Sequence, residues 1–186
     1  MIPGFHLEGP FINPEFIGAQ PVLNPAPVPI NPEWRSVLEH PMLKVVTLAP
    51  EMPHNLDLIL ELNRRDVISS MGHSAATYEE ARRGFEFGVT HVTHMFNALR
   101  PFHHREAGAV GYALMNDSLT CELIYDRKHV CKESASLLYK MKGEDKIIAV
   151  SDSTAATRLA PGQKLNMWGH DVVVDNDCVR LASNNA

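Results

Sequence analysis

Residues 67–96, VISSMGHSAATYEEARRGFEFGVTHVTHMF, decide the fold. The stretch opens on VISSMGH, a short run rich in apolar and β-branched residues, as a strand requires. Thr77-Tyr78-Glu79-Glu80 then reads as a capping box: the Thr77 hydroxyl accepts from the amide three residues on, while Glu80 reaches back to the cap. The helix so started runs to Gly88, a residue suited to the position just past a helix end. VTHVTHMF follows as a second strand. A strand, a helix and a strand in this order form a βαβ unit, in which the two strands are parallel.

The same rhythm repeats on both sides. Upstream, GFHLEG (4–9) and VVTLAP (45–50) read as strands, and Asn55–Arg65 carries apolar residues at 56, 59, 60 and 62, the spacing of an amphipathic helix. Residues Pro32–His40 suit a short helix, and Asn13–Pro32, with six prolines, reads as a long loop. Downstream, CELIYD (121–126) and IIAVSD (147–152) are strands, separated by a helix over Lys132–Lys142 that Gly143 closes. The tail changes character: in residues 166–186, DVVV and CVRLA flank DND as a β-hairpin. Six strands end near Glu8, Pro50, His73, His94, Asp126 and Asp152, at spacings of 42, 23, 21, 32 and 26 residues. The expected architecture is α/β: a TIM-barrel-like (β/α)8 fold with about six of its eight units present, ending in a β-hairpin. Residues 1–186 then form a single partial barrel domain. Such strands are expected to be apolar on both faces, and the two uncapped edges to promote self-association.

In parallel barrels the residues at the C-terminal ends of strands carry the chemistry. Here five of the six ends hold His, Asp or Glu, and the sixth is followed by Glu51. Glu8, His73 and His94 supply one carboxylate and two imidazoles, a common ligand set for a catalytic divalent ion. The plainer alternatives are a surface carboxylate and two buried core histidines. His6 shares the strand face of Glu8 by the period of two, whereas His91 is out of phase with His94 and reads as structural. Asp152, in SDST, suits either a helix cap or a general base acting on water beside the ion. Arg105 lies in a loop with Asn97, Ala98, His103 and Gly108, where a guanidinium suits an anionic substrate group and a surface ion pair is the alternative. His129 reads as a substrate contact or a loop residue, and the pair His103–His104 as binding loop or solvated loop.

Composition excludes several classes. The chain has 186 residues, 45% hydrophobic and 21% charged, with a net charge of −5 spread along its length. Nothing resembles a basic nucleic-acid stripe. No apolar run approaches the roughly 18 residues of a membrane span, and MIPGFHLEGP lacks the regions of a signal peptide. Three cysteines without CxxC spacing read as reduced thiols, so a cytoplasmic protein is expected. Without a phosphate-cradling glycine loop or GxSxG, nucleophilic and nucleotide chemistries lack support.

Taken together, HLEGPFI, LAPE, GHSAATYEEA, GVTHVTHMFNAL, HHREAGAVG, DRKHV and VSDS, in that order, resemble the N-acetylglucosamine-6-phosphate deacetylase family of the amidohydrolase superfamily. The resemblance runs from the first residues to about residue 182. It implies a (β/α)8 barrel with a small β-sandwich, a homodimer, and removal of acetate from an amino sugar phosphate with a divalent metal, zinc above all, with iron, cobalt or manganese as alternatives. By matching motifs, Glu8, His73 and His94 bind metal and Asp152 is the general acid/base. Ala19, Asn97, Ala98, Arg105 and His129 contact the sugar phosphate, with Arg105 reaching the phosphate across the dimer. Two alternatives stay open: an inactive remnant, and a deacetylase for another N-acyl amino sugar such as N-acetylgalactosamine 6-phosphate. The chain departs from the pattern at Gln20, where relatives usually place His, at Ala107 in place of a proline and at Arg127 in place of a glycine. Members of the family are longer, with further barrel strands and the β-sandwich, so the chain is expected to be a central slice.

Overall fold

A computed structural model describes residues 2–20, 30–167, 169–175 and 178–182. Residues 21–29 of the proline-rich loop, and parts of the tail at 168, 176–177 and 183–186, lie outside the described residues. Six parallel strands form one sheet in sequence order: β1 (Phe5–Glu8), β2 (Leu43–Leu48), β3 (Ile68–Met71), β4 (Val89–Val92), β5 (Thr120–Ile124) and β6 (Ile147–Val150). The sheet curls into a half-barrel with β1 and β6 at its edges. Five helices connect the strands: α1 (Pro32–Leu38), α2 (Asn55–Asn63), α3 (Tyr78–Phe87), α4 (Gly108–Met115) and α5 (Lys132–Lys142).

Local chemistry explains the helix starts. The Thr77 side chain accepts from the Glu80 amide, and the Glu80 carboxylate takes the Thr77 N–H at 2.9 Å, which completes the capping box of α3. Asn31 caps α1 by accepting from the Trp34 amide, with Pro32 in the first turn, where its missing N–H costs nothing. Helix α4 was not legible as a helix. Its sequence GAVGYALM has no polar face because residues 108–114 are all buried between neighbours, so amphipathic periodicity is absent. Lys142, at the end of α5, is buried, and its ammonium donates to the carbonyls of Ala113 (3.1 Å) and Asn116, tying α5 to the C-terminus of α4.

The main core fills the space between sheet and helices, with Val46, Leu48, Met71, Val92, Leu119 and Leu138 almost wholly enclosed. The expectation of strands apolar on both faces fails on the inner side. There Thr47 Oγ1 lies 2.7 Å from Thr93 Oγ1, Ser70 Oγ 2.6 Å from the same atom, and His6 Nε2 2.6 Å from Thr47 Oγ1. Thr47 pairs with His6 on β1, Ser70 with Thr93 just past β4, and the Thr47–Thr93 contact reaches across β3, so these hydroxyls carry no unpaired cost. Gly72 stands against this cluster: a Cβ there would fall 2.7 Å from Thr47 Cγ2 and 2.9 Å from Thr93 Cβ. Only glycine lets the chain pass this point on its way to His73.

The tail forms an antiparallel sheet of three strands, β7 (Lys164–Met167), β8 (His170–Val174) and β9 (Val179–Leu181). The hairpin read in the sequence is β8–β9; β7 adds a strand before it. Met167, Val172 and Val174 form a separate small core with Ala156. His170 Nε2 lies 3.4 Å from the Gln20 carbonyl, which joins this sheet to the loop after β1.

Candidate metal centre

Glu8 is the last residue of β1, while His73, His94 and Asp152 each follow their strand's end by two residues. All three of the latter have positive φ, at 48°, 28° and 47°. A side-chain-bearing residue pays about 1–2 kcal/mol for this region, and such outliers concentrate at functional sites. The turns after β3 and β4 bring the His73 and His94 side chains together beside Glu8.

There Glu8, His73 and His94 offer ligand atoms that all lie within 4.8 Å of one another. His73 Nε2 is 2.8 Å from Glu8 Oε1 and 3.0 Å from His94 Nε2, and His94 Nε2 is 3.6 Å from Glu8 Oε1. Ligands about 2.0–2.1 Å from one tetrahedral ion sit roughly 3.3 Å apart, so these separations fit a single divalent cation. His73 Nδ1 faces the Phe16 carbonyl at 2.7 Å. A carbonyl only accepts, so the proton belongs on Nδ1 and the Nε2 lone pair points to the centre. Both histidines are buried. Burial opposes ionisation of Glu8, yet the His73 and His94 imidazoles beside it hold its carboxyl well below the usual range. Burial also opposes charge on His94, but Glu8 and then Asp152 push its imidazole up. The centre thus favours positive charge, which is what a cation supplies.

Residues around the centre hold it in place. Gln20 Nε2 donates to Glu8 Oε1 at 2.6 Å. Glu51 accepts from Asn13 Nδ2 (3.0 Å), Ser74 Oγ (2.7 Å) and the Ala75 N–H (2.6 Å), fixing the turn after His73. His91, read as structural, is buried with Nδ1 2.5 Å from Thr120 Oγ1 and Nε2 3.2 Å from Glu122 Oε1. The sequence reading missed Glu122, although a charged residue inside an apolar strand was itself the available signal.

The remaining residues singled out in the sequence lie outside the group of three. Ala98 and the Gly18–Ala19 turn flank His73: a Cβ at Gly18 would lie 3.7 Å from His73 Cε1 and 3.9 Å from Ala98 Cβ. Asn97 Nδ2 donates to the carbonyls of His94 (3.2 Å) and Met95 (3.3 Å). Asp152 is exposed. Arg105 is exposed in the loop after β4, and its amide donates to His103 Nδ1 at 3.2 Å. His129 is exposed after β5, where Asp126 receives its amide (2.9 Å) and faces its Nδ1 (2.6 Å). Neither Arg105 nor His129 belongs to the Glu8–His73–His94 group.

A parallel half-barrel with a carboxylate and two imidazoles converging at its C-terminal face is a segment of a TIM-barrel protein with a candidate metal site. Its homologues are N-acetylglucosamine-6-phosphate deacetylases, which are amidohydrolases. The chain is 40% identical to N-acetylglucosamine-6-phosphate deacetylase of Bacillus subtilis (strain 168) over 161 residues, which is 86% of the chain and 40% of that protein. It is 32% identical to N-acetylgalactosamine-6-phosphate deacetylase of Escherichia coli over 182 residues, 97% of the chain and 48% of the relative. Among solved structures it matches an aspartate-to-alanine variant of N-acetyl-D-glucosamine-6-phosphate deacetylase from Mycobacterium smegmatis in complex with N-acetyl-D-glucosamine-6-phosphate. The TM-score there is 0.90 and the identity 32%, over 98% of the chain and 48% of that structure. The chain thus spans about half the length, or less, of the relatives it matches. No protein-family model matches it. Among the described residues, no helix is long and apolar enough to cross a membrane.

Proposed function

We propose that this chain carries the metal-binding and proton-transfer part of a deacetylase acting on N-acetylglucosamine 6-phosphate, releasing acetate and glucosamine 6-phosphate. The observation that carries the reading is the convergence of Glu8, His73 and His94 within 4.8 Å at the barrel mouth. These residues would hold one divalent ion, zinc by preference, with iron, cobalt or manganese as alternatives. When bound, such an ion polarises an amide carbonyl and lowers the pKa of an attacking water. Asp152 takes the proton from that water as it adds to the acetyl carbon. The same proton passes to the amide nitrogen as the C–N bond breaks, so acetate and the free amine leave together. Ala19, Asn97, Ala98, Arg105 and His129 contact the sugar phosphate, the Arg105 guanidinium being suited to its anionic group. The protein works as a cytoplasmic homodimer in which Arg105 reaches the phosphate bound by the partner copy. Similarity to the N-acetylgalactosamine-6-phosphate enzyme supports a second reading in which the other epimer is the substrate.

Metal content and acetate release, measured on one preparation with both epimers, test the reading. One divalent ion per chain is expected. Acetate release is expected when the barrel segments by which full-length relatives exceed this chain are supplied in cis or in trans. Acetate release that survives complete chelation would overturn it.

A further inference from the structure

We infer that Glu122, on β5, is the positioning residue that aims His94 at the metal centre; the inference rests on the reading of Glu8, His73 and His94 as ligands of one ion. The two histidines are oriented differently. His73 has an outer partner, the Phe16 carbonyl on its Nδ1, of the kind that commonly fixes a ligating ring. His94 Nδ1 is buried with no hydrogen-bond partner. With no outer partner on its ring, His94 depends on the placement of its backbone to reach the centre.

That backbone has left the sheet. The β4–β5 ladder covers only His91↔Thr120 and Val92↔Cys121. His94 lies beyond it at φ 28°, a conformation that persists only where the surroundings enforce it. Glu122 provides the enforcement through three contacts. Its Oε2 accepts the His94 N–H at 3.1 Å, its Oε1 pairs with His91 Nε2 at 3.2 Å, and its main-chain carbonyl accepts the Met95 N–H at 2.8 Å. One residue thus grips the chain on both sides of the ligand and at the ligand itself. The side chain takes over from the ladder where the ladder stops.

Variants of this chain separate reach from charge. Glu122→Gln keeps the length and an acceptor oxygen; Glu122→Asp keeps the charge but is one methylene too short. Leu138→Ala, on the buried face of α5, serves as a control that lowers stability at a residue outside β4 and β5. Titration with Co2+, followed by its visible absorption, should leave the Gln variant and the Leu138 control near the unmodified affinity. The Asp variant should bind about 10–100-fold more weakly. In ion-free protein the His94 amide should exchange roughly tenfold faster in the Asp variant and not in the Gln variant, the effect of one lost hydrogen bond. Unchanged Co2+ affinity and unchanged His94 exchange in the Asp variant would overturn the inference, as would a Gln variant as weak as the Asp variant. If the unmodified chain takes up no Co2+, the metal reading fails by itself, and the exchange measurement still decides whether Glu122 holds the His94 backbone.

Discussion

The Nε2 atoms of His73 and His94 face each other at 3.0 Å, with their rings edge to face. Two imidazole lone pairs at that distance repel unless something positive lies between or beside them. The Glu8 carboxylate, 2.8 Å from one and 3.6 Å from the other, completes a pocket whose electrostatics favour a cation. A proton fills the role without metal; a divalent ion fills it with three coordinate bonds.

Replacing any of the three should therefore abolish tight binding. His73→Ala is expected to reduce zinc affinity by more than the roughly 10–100-fold typical of losing an outer partner. Equilibrium dialysis with metal analysis checks this. His91→Ala, which removes a buried neighbour outside the ligand group, should retain stoichiometric zinc.

Asp152 makes a different prediction. In a form of the protein that turns over N-acetylglucosamine 6-phosphate, Asp152→Asn should keep metal and substrate binding while lowering turnover by about 10²–10⁴-fold, the usual worth of proton transfer by a positioned group. Loss of metal in this variant would instead make Asp152 a ligand.

The centre was legible in the sequence because its chemistry sits at strand ends. There, apolar runs stop and a lone Glu or His stands out against them. Gln20, Glu51 and Glu122 were harder to place, since their roles depend on contacts across 12, 24 and 28 residues of sequence: Gln20 with Glu8, Glu51 with Ala75, and Glu122 with His94. Helix α4 was hidden by burial on every side, and β7 by its brevity, although Lys164-Leu165-Asn166-Met167 alternates polar and apolar as a half-buried strand does. The polar inner face of Thr47, Ser70 and Thr93 was invisible for another reason. Serine and threonine read as ordinary strand residues until their hydroxyls are seen to pair.

The α3 start offers a test independent of metal. Thr77→Ala removes the side-chain acceptor for the Glu80 amide. A lost N-cap costs about 1 kcal/mol, which for a chain of this size lowers Tm by about 2–4 °C. Calorimetry of the two proteins should show that shift with zinc affinity unchanged.

Asp126 and His129 predict a pH dependence. Burial opposes ionisation of Asp126, but the amides of His129 and Lys128 and the His129 ring hold its carboxyl below the usual range. With its folded pKa depressed, the stabilisation from Asp126 is fully present above the unfolded value near about 3.9 and is lost as pH falls through the folded value. Asp126→Asn should therefore melt lower than the unmodified chain at pH 6, by about 1–3 °C for an exposed pair. The gap should close towards pH 3. A gap that stays constant across this range would mean that the carboxylate charge is not what matters.

The open sheet sets the behaviour of the chain in solution. Among the described residues β1 pairs only with β2, and β6 only with β5, so each presents one row of unpaired backbone groups. Phe5 on one edge is 36% exposed and Ile148 on the other 47%. Ile148 is the cross-strand neighbour of Glu122, so an unprotected edge lies beside the residue that supports His94. Exposed backbone and apolar side chains together are a template for further pairing. Sedimentation velocity should accordingly give an average mass above the 20.7 kDa of one chain that rises with concentration. Ile148→Lys should lower it, because a charged side chain on an edge strand resists new pairing. Glu8, a ligand of the centre, ends the edge strand β1, and a catalytic constellation must be held to within about 0.5 Å. Activity of this chain alone is therefore expected to be slight and to rise when the further segments of its longer relatives are supplied. A monodisperse 20.7 kDa species that melts cooperatively and deacetylates the sugar phosphate at an ordinary enzymatic rate would show that six strands suffice.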